Sequence, residues 1–239
     1  MTKVVAGLLI NLILVLPIII LTLKDKTKET FKILIAFAAF YLMNGILLYL
    51  PLEFNGLTIG TWNWTGKLLA IFGSILFIFL YRKFDLKDYF LTLNQNKAFI
   101  KKGLLVITLI LLVKCLLTFI SDPSEEWNLE TILFQLTMPG INEEIAFRGI
   151  MLGLLVKALR PTKRPIFHPA ILVTAILFGL AHGLSLNQSF ELSFNFSPFF
   201  ITFILGIGWA WITLESGSIL LALISHNLGN VTIKFIGMR

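Results

Sequence analysis

Two adjacent carboxylates and an arginine interrupt a long apolar stretch of the chain. The segment "PGINEEIAFRGI" at 139–150 carries Glu143, Glu144 and Arg148. Ionisable side chains at membrane depth are costly and commonly functional, because the bilayer core holds no water to solvate them. Glu144 and Arg148 are four residues apart, acid before base, which favours an ion pair on a helix. Glu143 is rotated by about 100° from Glu144, so we expect it to be the unpaired carboxylate.

Further polar side chains lie in two later apolar segments. His182 lies in "LFGLAHG", and His226 and Asn230 lie four residues apart in "ISHNLGN". At a rise of ~1.5 Å per residue, these three residues and Glu143 should lie at similar distances, roughly 12–20 Å, from one membrane surface. We therefore predict that the four side chains meet near the middle of the bilayer.

A carboxylate, two histidines and an asparagine suit hydrolysis in two ways. A glutamate can take a proton from water that a histidine orients, while His or Asn donors stabilise the oxyanion. Alternatively, Glu143, His182 and His226 could bind zinc, the one cofactor that this set suggests. These residues are spread over three helices, unlike HExxH, so their spacing does not establish zinc. The structural alternative is that they only hydrogen-bond between helices.

The composition places these residues in a membrane protein. The 239 residues are 57% hydrophobic and 14% charged, whereas globular chains are about half apolar and a quarter charged. With ~20 apolar residues per crossing, the predicted fold is all-α and polytopic, a single integral membrane domain over 1–239 with about eight transmembrane helices. The candidate spans are roughly 4–23, 32–52, 66–81, 103–120, 131–156, 169–188, 197–214 and 217–236, with the chemistry-bearing core at about 131–236.

Two details of these spans carry further predictions. Pro139-Gly140 should break or kink the fifth span, which would make Asn142 the N-cap of the restarted helix. Lys114, near the outer end of the fourth span, is predicted to snorkel to the membrane surface.

Basic residues cluster in alternate loops, at 24–32, 82–102 and 157–164, whereas the loop at 121–130 is acidic. The positive-inside rule therefore predicts that the basic loops are cytoplasmic and that both termini lie outside. The net charge of +7 is explained by this topology and by anionic lipid, and we predict no nucleic-acid partner.

Three motifs in this order resemble one known family. "EEIAFRG" at 143–149 is similar to the EExxxR motif of the CPBP (CAAX protease and bacteriocin-processing, or Abi) intramembrane proteases, the type II CAAX prenyl endopeptidase-like family. "FGLAH" at 178–182 is similar to its FxxxH motif and "HNLGN" at 226–230 to its HxxxN motif. The segment "GIGWAWITLESGSILLALIS" also resembles the lead-in to the last motif, and the resemblance covers about 135–231.

The resemblance implies an eight-helix intramembrane endopeptidase. Glu143 would be the general base, His182 would help to hold the water, and His226 and Asn230 would line the oxyanion site. Glu144 and Arg148 would support them. A metalloprotease mechanism and a metal-free glutamate mechanism are both compatible with the family, and we favour the second because one carboxylate, two neutral histidines and an asparagine make a weakly charged zinc site.

The expected substrate is a membrane-associated peptide or protein precursor, in the cytoplasmic membrane of a bacterium, which would reach the site from the cytoplasm. Prenylation of that substrate does not follow from the resemblance. One alternative is a catalytically silent scaffold or immunity protein of the same family, and another is a small proton-coupled transporter. The intact motif set argues against the first. The single polar cluster, without a line of polar residues across the membrane, argues against the second.

Overall fold

The computed structural model describes residues 1–54, 57–121, 126–187 and 189–238. In these ranges the chain is mostly helical. The helices are α1 (Thr2–Leu21), α2 (Lys28–Glu53), α3 (Trp64–Leu80), α4 (Lys97–Ser121), α5 (Leu129–Glu143), a π-helical segment (Glu144–Met151), α6 (Leu152–Ala158), α7 (Pro169–Gly183), α8 (Phe196–Ser216) and α9 (Leu220–Gly237). A short 3₁₀ turn, Pro165–Phe167, precedes α7.

The helices match the predicted spans in position. The π segment joins α5 to α6 without a break, so helix runs from 129 to 158. Four helices are long and apolar enough to cross a membrane, namely Thr2–Leu21, Lys28–Glu53, Lys97–Ile120 and Phe196–Ser216, while Trp64–Leu80 and Pro169–Gly183 are apolar but shorter. These helices fit an integral membrane protein, whereas the predicted number of crossings is not confirmed.

The prediction at Pro139-Gly140 was a break or a kink, and a break is wrong, because α5 continues to Glu143. Proline removes one backbone hydrogen bond from a helix, and here a side chain of α9 bonds to backbone groups on either side of Pro139. Asn227 Oδ1 accepts the Gly140 N–H at 2.7 Å, and Asn227 Nδ2 donates to the Thr137 carbonyl at 3.2 Å. A Cβ at Gly140 would lie 2.7 Å from the Asn227 amide carbon, so this approach requires glycine. Asn142 consequently lies inside the helix and caps nothing.

The all-α prediction needs one correction, because α7 ends at Gly183 and a β-hairpin follows. Strands β1 (Leu184–Leu186) and β2 (Leu192–Phe194) pair antiparallel. The Asn195 N–H donates to the Gly183 carbonyl at 2.7 Å, which closes the hairpin against the end of α7. The sixth predicted span, 169–188, was therefore too long at its C-terminal end.

The three basic loops lie together at one end of the molecule. The Lys24 N–H donates to the Ala158 carbonyl at 3.0 Å, and the Arg160 N–H to the Thr22 carbonyl at 2.8 Å. Lys157 Nζ lies 2.5 Å from Asp88 Oδ1, and Lys83 pairs with Glu29. This arrangement agrees with one shared side for these loops. Residues 122–125 of the acidic loop lie outside the described residues.

Candidate active site

Glu143, the last residue of α5, forms an ion pair that the sequence did not indicate. Lys67 Nζ, in the first turn of α3, donates to Glu143 Oε1 at 2.6 Å. Lys67 is buried, with 8% of its surface exposed. Glu143 is therefore paired, and the expectation of an unpaired carboxylate is wrong. Its Oε2 is buried, has no hydrogen-bond partner within the described chain, and lies 3.7 Å from His226 Nε2.

Glu144 faces a different set of partners. Its Oε1 lies 3.2 Å from Arg148 NH1, so the expected pair with spacing of four residues is present. The same oxygen accepts a hydrogen bond from His226 Nδ1 at 2.7 Å. Glu144, Arg148 and His226 are almost completely buried. Because a carboxylate oxygen only accepts, the His226 proton lies on Nδ1, and in the neutral ring Nε2 carries a lone pair.

Aromatic rings enclose the charges of this pair. The Arg148 guanidinium carbon lies 4.1 Å from the Phe178 ring centroid and 5.2 Å from that of Trp209. Trp209 also stacks on His226, with centroids 4.3 Å apart and planes at 12°, and donates its indole N–H to Ser225 Oγ at 3.1 Å. Contact with ring faces stabilises a desolvated cation. We call Glu144, Arg148, His226, Phe178 and Trp209 the sealed cluster.

His182 lies near the end of α7, where its ring is oriented by its own helix. His182 Nδ1 lies 2.8 Å from the Phe178 carbonyl oxygen. A carbonyl only accepts, so Nδ1 carries the proton, and Nε2 of the neutral ring is available as an acceptor. The side chain of His182 is exposed, and it lines the same cavity as Glu143.

Asn230 is held by a lysine rather than by the other predicted residues. Its Oδ1 accepts a hydrogen bond from Lys114 Nζ at 3.0 Å. The ammonium of Lys114 also lies 5.6 Å from the Trp209 ring centroid. Lys114 therefore turns inward, and the prediction that it snorkels to the surface is wrong. The structure thus places Glu143 beside His226 and in a cavity with His182, while Asn230 lies one turn further along α9.

The cavity has a volume of about 480 Å³ and lies between α1, α2, the α5–π junction, α7 and β1. Asn142, Glu143 and His182 line it, and so do Lys3 and Glu53, near the ends of α1 and α2 that lie away from the basic loops. The cavity therefore extends toward the end opposite the basic loops, whereas a cytoplasmic opening was expected on their side.

The donor geometry does not fit a zinc ion. Among the described residues, no three His, Cys, Asp or Glu side chains form a group that could hold a metal. Of the candidate set, Glu143 Oε1 already accepts from the Lys67 ammonium, so one of its two oxygens is engaged by another cation. We therefore derive no step through a metal.

Sequence reasoning missed Lys67 and misread Lys114. Both are lone cations within or at the edge of apolar segments, and such residues usually have an acidic or polar partner in the bundle interior. That signal was present in "WTGKLLAIFG" and "LLVKCLL". Their partners lie 76 and 116 residues away, so no local spacing identifies them.

Apolar helices long enough to cross a membrane surround this glutamate–histidine cluster, which fits an integral membrane protein. Residues 125–232 match the family model described as Type II CAAX prenyl endopeptidase Rce1-like. This match confirms the recognition made from the three motifs, and it supports a CAAX-type intramembrane protease, and hence a hydrolase, at the family level. Neither the curated proteins nor the solved structures gave a match.

Proposed function

We propose that the protein is an intramembrane endopeptidase that hydrolyses a peptide bond of a membrane-associated peptide or protein precursor. The observation that carries this proposal is Glu143, which has one oxygen paired to Lys67 and the other without a hydrogen-bond partner among the described residues, in a cavity with His182. Such a carboxylate can act as a base, and the cavity can admit a substrate.

In the proposed reaction, water donates one O–H to Glu143 and the other to His182 Nε2. Both groups accept, so the two water protons are held and an oxygen lone pair remains for attack on the substrate carbonyl carbon. Glu143 takes one proton as the new C–O bond forms. It then returns this proton to the amine as the C–N bond breaks, which restores the carboxylate.

In this proposal Asn230 and His226 stabilise the oxyanion, as the resemblance implied. Lys114 can only donate, so its bond to Asn230 Oδ1 fixes the amide and leaves Nδ2 as the donor. His226 can donate from Nε2 only when its ring carries a second proton, because Nδ1 already donates to Glu144. Glu144 and Arg148 act through His226, as supporting residues.

The test compares wild type with Glu143→Gln in detergent micelles. Both proteins are incubated with a panel of single-span membrane peptides, and the products are identified by mass spectrometry. We expect wild type to cleave a subset and the variant to be slower by about 10²–10⁴-fold, the usual contribution of a general base.

Glu126→Gln, at an exposed position, is the matched control. Unchanged cleavage by Glu143→Gln would rule out this base, and no cleavage by wild type would favour the catalytically silent alternative.

A chelator arm tests the metal-free form of the proposal. Activity should survive chelation, because the proposed steps use only side chains of this chain. Loss of activity on chelation, followed by recovery with zinc, would contradict the metal-free mechanism and leave Glu143, His182 and His226 as the ligand set to test.

We also propose a bacterial cytoplasmic membrane as the location, with the basic loops on the cytoplasmic side. The contacts among these loops support one shared side. A reporter that is active only outside the cytoplasm, fused after Met238, should be active. An inactive reporter would reverse the orientation.

A further inference from the structure

Three polar side chains on the cavity wall lie outside the proposed catalytic set. They are Asn11 of α1, Tyr41 of α2 and Asn142 of α5, and they are 6%, 4% and 1% exposed. All three line the cavity that holds Glu143 and His182. Two of them come from the part of the chain that precedes the family match.

The hydrogen bonding of these side chains is incomplete. Asn11 Nδ2 donates to Tyr41 Oη at 2.9 Å, which leaves the tyrosine O–H to donate elsewhere. Asn11 Oδ1 and Asn142 Nδ2 are buried and have no hydrogen-bond partner in the described residues. Buried polar atoms are nearly always paired, and an unpaired one is unfavourable. Both atoms have almost no accessible surface, so the Asn11 and Asn142 amides must rotate toward the cavity to pair with a partner that it admits.

The chemistry of the wall indicates what that partner carries. Asn11 Oδ1 requires a donor, whereas the Tyr41 hydroxyl and Asn142 Nδ2 require acceptors. A lipid acyl chain supplies neither. A peptide main chain supplies both, with one N–H and one C=O on each residue. The volume of about 480 Å³ suits a short peptide segment.

The remainder of the lining restricts the side chains of such a peptide. Leu8, Leu48, Leu52, Phe147 and Met151 provide apolar surface in the same cavity. The charge of Glu143 is matched by Lys67. Away from Lys3 and Glu53, charged substrate side chains would thus find little compensation, and apolar ones are favoured.

We propose that Asn11, Tyr41 and Asn142 form a binding site for the main chain of a peptide with apolar side chains. This inference rests on the proposed function, because the bound segment delivers its carbonyl to Glu143. The three residues bind and orient the peptide and take no part in proton transfer.

The experiment measures binding without turnover, in the Glu143→Gln protein in detergent. The probes are an acetylated, amidated tetrapeptide of leucine and alanine, its analogue with one amide replaced by an ester, and a detergent-soluble alkane of similar volume. The test variant adds N11L and Y41F together, so that neither apolar replacement leaves the other side chain unpaired. We expect this variant to bind the tetrapeptide about tenfold more weakly, while its thermal midpoint is unchanged or higher. The double variant should bind the alkane as the parent does. The parent should bind the ester analogue more weakly than the tetrapeptide.

Tyr89→Phe on the same background is the matched control. Tyr89 is fully buried and its hydroxyl has no partner in the described residues, but it does not line this cavity. The control should bind the tetrapeptide as the parent does. The proposal is overturned if the parent fails to bind the tetrapeptide, or if the parent binds the ester as tightly as the tetrapeptide. It is also overturned if the double variant binds the tetrapeptide as tightly as the parent, or if Tyr89→Phe loses as much affinity as the double variant. Peptide binding without wild-type cleavage would instead overturn the proposed function and leave this site standing.

Discussion

Glu143 and Glu144 are consecutive in the sequence, yet they belong to two different regions of the molecule. Glu144 is fully buried in the sealed cluster, where Arg148 and His226 contact one of its oxygens. Glu143 borders the cavity, and its cation comes from α3, 76 residues away. The junction of α5 with the π segment lies between them. A π turn changes the direction of successive side chains, and such turns are frequent at functional sites.

The two carboxylates differ in the source of the cation that neutralises them. Glu144 obtains its cation from its own helix, so that pair forms wherever the helix forms. Glu143 obtains its cation only after α3 has packed against α5, so its pairing depends on the tertiary structure. The first arrangement is suited to stability, and the second to a site whose geometry is set by several helices.

The largest effect on stability is expected in the sealed cluster. Arg148→Met leaves Glu144 buried with only His226 beside it, and removal of one partner from a buried ion pair costs about 3–5 kcal/mol. Denaturant or thermal unfolding in detergent would measure this loss. Glu143→Gln serves as the comparison and should be affected less, because the glutamine Oε1 still accepts a hydrogen bond from Lys67 Nζ and the side chain borders the cavity. Equal destabilisation by the two variants would remove the distinction between the two carboxylates.

A smaller effect, on rate, is expected from Lys67→Met. Removal of the ammonium that lies 2.6 Å from Glu143 Oε1 frees the carboxylate to rotate, and we expect kcat to fall about tenfold, which corresponds to ~1.4 kcal/mol. Lys67→Arg keeps the charge and should recover part of the rate. Lys87→Met, at an exposed position, is the control. If arginine and methionine reduce kcat equally, the charge of Lys67 is not what positions Glu143.

Asn227 supports both regions, because it bonds to backbone groups on either side of Pro139, in the turn of α5 just before the two glutamates. Asn227→Ala removes the acceptor of the Gly140 N–H and the donor to the Thr137 carbonyl. We expect the free energy of unfolding to fall by about 1–3 kcal/mol, since buried backbone groups lose their partners. Asn94→Ala, in an exposed loop, should change it little. A stability equal to wild type would show that α5 crosses Pro139 without this support.

The smallest effect is expected at the start of α7, outside both regions. His168 Nδ1 accepts the Ala170 N–H at 3.2 Å as the N-cap, and burial lowers the pKa of His168 below its usual value. The folded state therefore disfavours the protonated ring, so this contribution is present above the pKa of the unfolded chain and is lost as the pH falls. Between pH 7 and pH 5, wild type should lose up to about 1 kcal/mol more stability than His168→Asn, which caps without titrating. Parallel pH profiles would contradict this role.

The approximate positions of the helices were predictable because they depend on local patterns. Apolar runs predict helices, and Glu144 and Arg148 reveal their pairing by a spacing of four residues. The supports across the bundle were not predictable in this way. Pro139 predicts a break unless Asn227 is known to lie beside it, and Asn11 and Tyr41 look like ordinary polar residues of apolar helices until the cavity brings them together.

One contact at the basic end has a mechanical consequence. The antiparallel bridge between Leu23 and Leu159 joins the end of α1 to the end of α6. This bridge fixes the C-terminal end of α1 through the main chain. At the other end of α1, beside the cavity, the N-terminal ammonium of Met1 lies 2.6 Å from Glu53 Oε2. Because an exposed ion pair contributes little stability, the cavity end of α1 is held less firmly than the end at the basic loops.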